Sequence, residues 1–151
     1  MSSTRQRLRQ APAADNGRIA VTRPLRSLLS VLALAVAAGA AAAPPAPPQG
    51  ASAQVISGAQ LYQQHCALCH GATGRGATVF PRPIWGPGHD IGKFGTAKGL
   101  LEYLLMLMPF DDPAKLTDAQ KTSITAYMLV RNGTLPAGAT LPTGGDGTAI
   151  K

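Results

Sequence analysis

Two cysteines and a histidine stand together near the middle of the chain, in the run Cys66-Ala67-Leu68-Cys69-His70. No other cysteine occurs in the sequence, and the spacing puts the two thiols about one helical turn apart. Thiols at this spacing can each add to one vinyl group of the same porphyrin, and the imidazole that follows can bind its iron. The motif therefore favours one covalently attached c-type haem, held by Cys66 and Cys69, with His70 as an iron ligand.

Two other chemistries use the same residues. A cysteine pair in an oxidising compartment can form a disulfide or a redox site, but no strand pattern precedes this pair, as a thioredoxin-like site requires. A zinc ion could bind His65, Cys66, Cys69 and His70, although four ligands within six residues would be crowded. Both alternatives stay open, and haem is favoured because an export signal and a candidate second iron ligand accompany the motif.

The candidate second ligand is a methionine. Met108 ends a helical pattern and directly precedes Pro109, where the backbone leaves the helix and the thioether can turn inward. Met106 is the alternative ligand, although a methionine in an apolar stripe more often fills a core. His89 is a further candidate, but a histidine in a Gly/Pro-rich loop is expected to face solvent. Ligation by histidine and methionine raises the reduction potential of a haem and leaves no axial position open.

The first 53 residues differ in composition from the rest. They hold six of the fourteen Lys and Arg residues, an apolar run over 28–43, several prolines and the small-residue segment Ala51-Ser52-Ala53. This order predicts a signal peptide with a Pro/Ala-rich leader over 1–53, and therefore export to the periplasm. The apolar run is shorter than the roughly 20 residues of a membrane span, so an uncleaved N-terminal anchor is the less favoured alternative.

Export would leave a nearly neutral protein. Residues 54–151 carry eight Lys and Arg against six Asp and Glu, a net charge of +2. No basic stripe with interleaved aromatic residues occurs there, so nucleic acid is not an expected partner.

Helices are expected to position the site. A first helix is predicted over Ser57–Leu68, with Ser57 as its N-cap, and a Gly/Pro-rich loop over 71–95. Thr96 begins a second helix that runs to Leu107. A third helix opens on the capping box Thr117–Gln120 and ends at Asn132-Gly133. No strand pattern is visible, so the fold class is all-α.

The same pattern divides the chain into a leader over 1–53, a domain over 54–133 and a tail over 134–151. The tail is rich in Gly, Pro and Thr and is predicted to be flexible.

Taken together, these features resemble the class I monohaem cytochromes c. The resemblance covers about Val55–Gly133, and it includes these further residues: Gly58, Tyr62, the segment Pro81–Gly86, the pair Met108-Pro109 and the run Ala126–Leu129. It implies a small cytochrome c fold, with three or more helices and long loops wrapped around one haem.

The resemblance also implies roles for individual residues. Cys66 and Cys69 would hold the haem, and His70 and Met108 would be the axial iron ligands. Gly58 would let the last helix cross the first, near Tyr127. A carbonyl in the segment 81–83 would accept a hydrogen bond from the His70 ring. Trp85 would pack on the haem, hydrogen-bond a propionate, or pack in the core.

The implied function is one-electron transfer and not catalysis. Expected partners are redox proteins: a periplasmic dehydrogenase, an oxidase or another cytochrome, with the chain either free or serving as the electron-accepting subunit of a dehydrogenase. A haem enzyme, or a protein that binds peroxide or a gas at a displaceable sixth ligand, is the alternative. No distal His or Arg arrangement for peroxide cleavage is apparent.

Overall fold

A computed structural model describes residues 45–151, so most of the predicted leader lies outside the described part. Four α-helices occur in it: α1 Ala53–His65, α2 Ala67–His70, α3 Ala97–Leu107 and α4 Asp118–Arg131. Short 3₁₀ helices lie at Ile91–Phe94 and Pro113–Lys115. Within 45–151 no strand forms, and β pairing is limited to one bridge between residues 96 and 149. The all-α prediction is confirmed.

The first helix begins five residues before the predicted start. Ser52, and not Ser57, is its N-cap, because the Ser52 side chain accepts a hydrogen bond from the Val55 amide at 3.3 Å. The helix also ends before the predicted Leu68, since the backbone departs from helical geometry at Cys66 and α2 begins after it. The predicted boundary between residues 53 and 54 therefore falls inside the helical domain, one residue after its cap.

The crossing of α1 and α4 depends on Gly58, as the sequence predicted. A Cβ at Gly58 would lie 3.0 Å from the Tyr127 Cβ and closer still to the carbonyl oxygen of Ser123. Only a residue without a side chain permits this approach. The crossing brings the buried faces of the two helices together and forms the centre of the core.

The second and third predicted helices are confirmed. Thr96 caps α3 by accepting from the Gly99 amide at 3.1 Å. Thr117 and Gln120 form the predicted capping box of α4, which ends at Arg131 with Asn132 as its C-cap. Helix α3 packs against α4, and three of its leucines are almost fully buried: Leu100, Leu101 and Leu104.

The tail over 134–151 differs from the expected flexible segment. Leu141 is 3% exposed, and its backbone exchanges two hydrogen bonds with the Gln54 side chain, at 2.9 and 2.7 Å. Further along, tail carbonyls accept from the first-turn amides of Ala97 and Lys98 in α3, both at 2.9 Å. These amides have no partner within their own helix, so the tail packs because it pairs them.

Among residues 45–151, none of the helices is both long enough and apolar enough to cross a membrane.

Candidate functional site

One helical turn presents the three residues of the attachment motif. Cys66 joins α1 to α2, and its carbonyl oxygen accepts from the Cys69 amide at 3.2 Å and the His70 amide at 2.9 Å. Cys66 is partly buried, whereas Cys69 is exposed, and both thiols are free. Burial, helped by the nearby Cys69, raises the pKa of the Cys66 thiol to about 12. The two sulfurs and the imidazole therefore come from the same short element, as the sequence predicted.

The His70 ring is held from one side by an aromatic residue. The Phe80 ring meets it edge-on, with 4.8 Å between ring centroids. His70 Nδ1 is buried and has no hydrogen-bond partner among residues 45–151. Burial lowers the pKa of His70, against the opposing influence of Asp90. The expected bond to a carbonyl in 81–83 is not formed, and the Pro83 carbonyl accepts from the Asp90 amide at 2.8 Å instead.

The loop after His70 is pinned by a tyrosine and a glycine. The Tyr62 hydroxyl donates to the Gly71 carbonyl oxygen at 2.9 Å. Gly71 has φ 80°, and a Cβ there would collide with the backbone of Gly76. The Gly76 amide in turn donates to the His70 carbonyl oxygen at 3.2 Å. Tyr62 thus fixes the backbone of the residue next to His70.

Trp85 belongs to the core. Its ring lies 5.0 Å from that of Tyr62 and 5.6 Å from that of Tyr127, between centroids, and it is 3% exposed. Arg75 donates to its carbonyl oxygen at 2.9 Å. Core packing is thus one role of Trp85, and its contact with the haem or a propionate stays a prediction.

Met108 lies at the end of α3. It is the C-cap residue, its amide donates to the Leu104 carbonyl oxygen at 3.1 Å, and its side chain packs against the hydrophobic core that Cys66 also contacts. Met106, by contrast, is 66% exposed. His89 is engaged locally, because its Nδ1 accepts from the Gly92 amide at 3.1 Å.

The surface around these residues is apolar. Six large apolar side chains are exposed within 45–151, and five of them belong to the attachment motif, the loop that follows it or the segment around Met108: Leu68, Val79, Met106, Leu107 and Phe110. Apolar side chains that lie together on a surface mark binding sites. Together with the imidazole of His70, they fit a site for a large apolar group that carries a metal ion.

A zinc site finds no support in the described part of the chain. No group of three or more His, Cys, Asp or Glu side chains in residues 45–151 is arranged to hold a metal ion.

Two side chains near the site were missed by the sequence analysis. Phe80 had no recognisable pattern, since it stands alone in a loop. Lys121 is 3% exposed, and its Nζ donates to the Leu105 carbonyl oxygen of α3 at 2.9 Å. It shares a helix face with Ile124, Thr125 and Met128, so helical spacing could have identified it as buried.

Part of the chain is similar to known proteins. The family model described as cytochrome c oxidase, cbb3-type, subunit III matches residues 53–128, half of the chain. Thiosulfate dehydrogenase of Stutzerimonas stutzeri is 32% identical over 84 residues, which cover 49% of this chain and 26% of that protein. Thiosulfate dehydrogenase of Allochromatium vinosum is 31% identical over 85 residues, which cover 49% and 30%.

A solved structure is also similar. The sulfane dehydrogenase SoxCD of Paracoccus pantotrophus matches with a TM-score of 0.49 and 27% identity, over 55% of this chain and 45% of that chain. The match with each thiosulfate dehydrogenase spans less than a third of that protein.

The family match settles the cofactor. Its members bind haem c covalently, so haem c is the cofactor of this chain. With a family model that matches half of its length, the chain belongs to the family described as cytochrome c oxidase, cbb3-type, subunit III, and it is a class I c-type cytochrome.

Proposed function

We propose that this cytochrome is a one-electron carrier outside the cytoplasmic membrane, with His70 and Met108 as the axial ligands of its iron and Cys66 and Cys69 as its thioether attachments. The observation that carries the proposal is the single turn from Cys66 to His70, which presents both thiols and the imidazole together. The bound haem supplies an iron atom that cycles between the ferrous and ferric states. With both axial positions filled by side chains, it would do so without binding a substrate.

The residues around His70 would keep its ring in place. Nδ1 is buried in the protein, which leaves Nε2 as the nitrogen for the iron. Phe80 packs against the ring edge, and Tyr62 anchors the backbone of the next residue. A fixed ligand lowers the structural change that accompanies each electron transfer.

Met108 is preferred to Met106 because of its place in the fold. Met108 is partly buried and packs on the core, whereas the side chain of Met106 is largely exposed. A thioether already held at the protein interior gives up less side-chain entropy when it binds a metal.

The partner is proposed from the relatives. Two of them are named thiosulfate dehydrogenases, and we propose that this cytochrome accepts electrons from a dehydrogenase of the periplasm, either as a free carrier or as its electron-accepting subunit. An oxidase or another cytochrome would then receive the electron. The predicted signal peptide supports this location, and a brief encounter would need only a small interface.

Covalent attachment is tested by a pyridine haemochrome spectrum of protein matured with a c-type assembly system, after acid-acetone extraction. Haem that stays on the polypeptide, with the spectrum of saturated vinyl groups, supports Cys66 and Cys69 as attachments. The variants Cys66→Ala and Cys69→Ala should each leave one vinyl group unsaturated. Haem that extracts completely from the unmodified protein refutes the proposal.

The axial ligand is tested by the pair Met108→Ala and Met106→Ala. Both remove the same thioether, one from the proposed site and one from an exposed position on α3. Met108→Ala should abolish the methionine–iron charge-transfer band at the red end of the ferric spectrum, and Met106→Ala should keep it. The reverse result would assign the iron to Met106.

The same samples test the alternative function. A haem enzyme or gas-binding protein would bind carbon monoxide readily in its ferrous state, whereas the proposed carrier would do so only after Met108→Ala.

A further inference from the structure

We infer that Lys121 is a positioning residue for the proposed iron ligand Met108. Its side chain donates a hydrogen bond to a carbonyl near the end of α3 that has no backbone donor within the helix. The inference rests on the proposed ligation by Met108. Lys121 belongs to α4, sixteen residues further along the chain than the carbonyl it binds.

The missing donor follows from the proline after Met108. In an α-helix the carbonyl of residue i accepts from the amide of residue i+4. For Leu105 that residue is Pro109, which has no N–H. The Leu104 carbonyl still receives the Met108 amide at 3.1 Å. Leu105 therefore carries the first carbonyl of α3 whose helical partner does not exist.

Lys121 fills this gap from the neighbouring helix. Its Nζ lies 2.9 Å from the Leu105 carbonyl oxygen, and the side chain is only 3% exposed. A buried lysine is rare unless its polar end has a partner, and the C-terminal end of a helix favours a cationic side chain. The pairing thus satisfies both the lysine and the helix end.

The contact also has the right place to act on Met108. Leu105 lies one turn before Met108. Pro109, the residue after Met108, is buried. The hydrogen bond from Lys121 joins the last turn of α3 to α4, so the backbone at Met108 cannot fray away from the core. Without this hydrogen bond, the Met108 thioether would compete less well for the iron against an added ligand.

The test is the affinity of the ferric cytochrome for imidazole, which must displace the sixth ligand. Lys121→Met keeps the length of the side chain and removes its donor. We expect imidazole to bind about tenfold more tightly, as the loss of a hydrogen bond of this kind implies, and the methionine–iron band to weaken. Lys121→Arg restores a donor and should return both values towards those of the unmodified protein.

Lys98→Met is the matched control. Lys98 lies in α3, but its side chain is 62% exposed, and its Nζ lies 3.8 Å from Oε1 of Glu102. The Lys98→Met substitution should leave the affinity for imidazole unchanged. An unchanged affinity in Lys121→Met, or an equal change in Lys98→Met, overturns the inference.

A second measurement uses the unmodified protein, in case Lys121→Met does not mature. Hydrogen exchange of the Met108 amide should be about as slow as that of the Leu104 amide in mid-helix, because the helix end is tied. Exchange of Met108 about a hundredfold faster would show a frayed end and overturn the inference. Met108→Ala separates the proposed ligation from the inferred role of Lys121. If this variant keeps the methionine–iron band, the ligation proposal fails, whereas hydrogen exchange still reports on the role of Lys121.

Discussion

Two buried tyrosines allow the same chemical change to be made in opposite settings. Tyr62 and Tyr127 are both fully buried, and their rings lie 5.7 Å apart between centroids. The Tyr62 hydroxyl donates to the Gly71 carbonyl oxygen at 2.9 Å, next to His70. The Tyr127 hydroxyl has no partner among residues 45–151. Replacing each by phenylalanine removes one oxygen and leaves the packing of the ring intact.

The expected changes in the free energy of unfolding differ in sign or size. Tyr62→Phe removes a hydrogen bond and strands a partly buried carbonyl, which costs about 1–2 kcal/mol. Tyr127→Phe removes a buried polar atom that nothing satisfies, so its effect should lie between zero and about 1 kcal/mol of stabilisation. The two variants should therefore differ by about 1–3 kcal/mol, with Tyr62→Phe the less stable.

Urea unfolding of the haem-loaded protein, followed by circular dichroism, measures this difference. Equal slopes of the free energy of unfolding against urea concentration would show that the substitutions leave the compactness of the folded and unfolded states unchanged. Tyr62→Phe should also perturb the His70 side of the site, visible as a shifted Soret band, whereas Tyr127→Phe should not. Equal stabilities for the two variants would refute the assigned hydrogen bond and the reasoning built on it.

The pH dependence of stability tests the burial of the Tyr127 hydroxyl. Burial raises the pKa of Tyr127, and Arg131 opposes this in part. Above about pH 10 the unfolded chain releases this proton while the folded protein retains it. The folded state then binds more protons, so stability falls as the pH rises. Tyr127→Phe should lose less stability than the unmodified protein between about pH 9 and about pH 11, and an identical loss would contradict the burial of this hydroxyl.

Three other predictions concern the frame of the domain. Gly58→Ala should destabilise the folded protein by about 1–3 kcal/mol, because the added Cβ meets the backbone of α4 although alanine has the better helix propensity. Thermal unfolding would measure this, with Ser57→Ala on the exposed face of α1 as the neutral control. Gln54→Ala loses both hydrogen bonds to Leu141 and should increase protease cleavage within 134–151, and unchanged cleavage would argue against a packed tail. Mass spectrometry of the mature protein, whose export is proposed above, should place its first residue at or before Ser52, because cleavage after residue 53 would remove the cap of α1.

The features that the sequence describes most directly are local ones. Cys66, Cys69 and His70 lie within five residues, so a single turn brings them together. The capping signals at Thr96 and Thr117 located two helices correctly. Such features depend on residues within a turn or two of one another, and propensity and spacing describe them directly.

The sequence predictions were wrong where the local structure depends on residues far away in the chain. Both Ser52 and Ser57 are good caps by type, but only Ser52 also bonds to the tail, where its side chain donates to a carbonyl at 2.9 Å. The tail looked flexible because its own composition supports no regular structure. It is ordered by pairing with groups that α1 and α3 leave unpaired, at Gln54 and at the first turn of α3. No window of sequence contains both partners.

This difference extends to the two sides of the proposed iron site. The attachment side is fixed by a short run of sequence and by neighbours close to it, such as Tyr62 and Phe80. The Met108 side depends on α3, whose first turn is paired by the tail and whose last turn is paired by Lys121. Substitutions far from Met108 in the sequence should therefore alter its hold on the iron, while covalent attachment of the haem remains intact. A variant that lost both together would show that the two sides are not positioned independently.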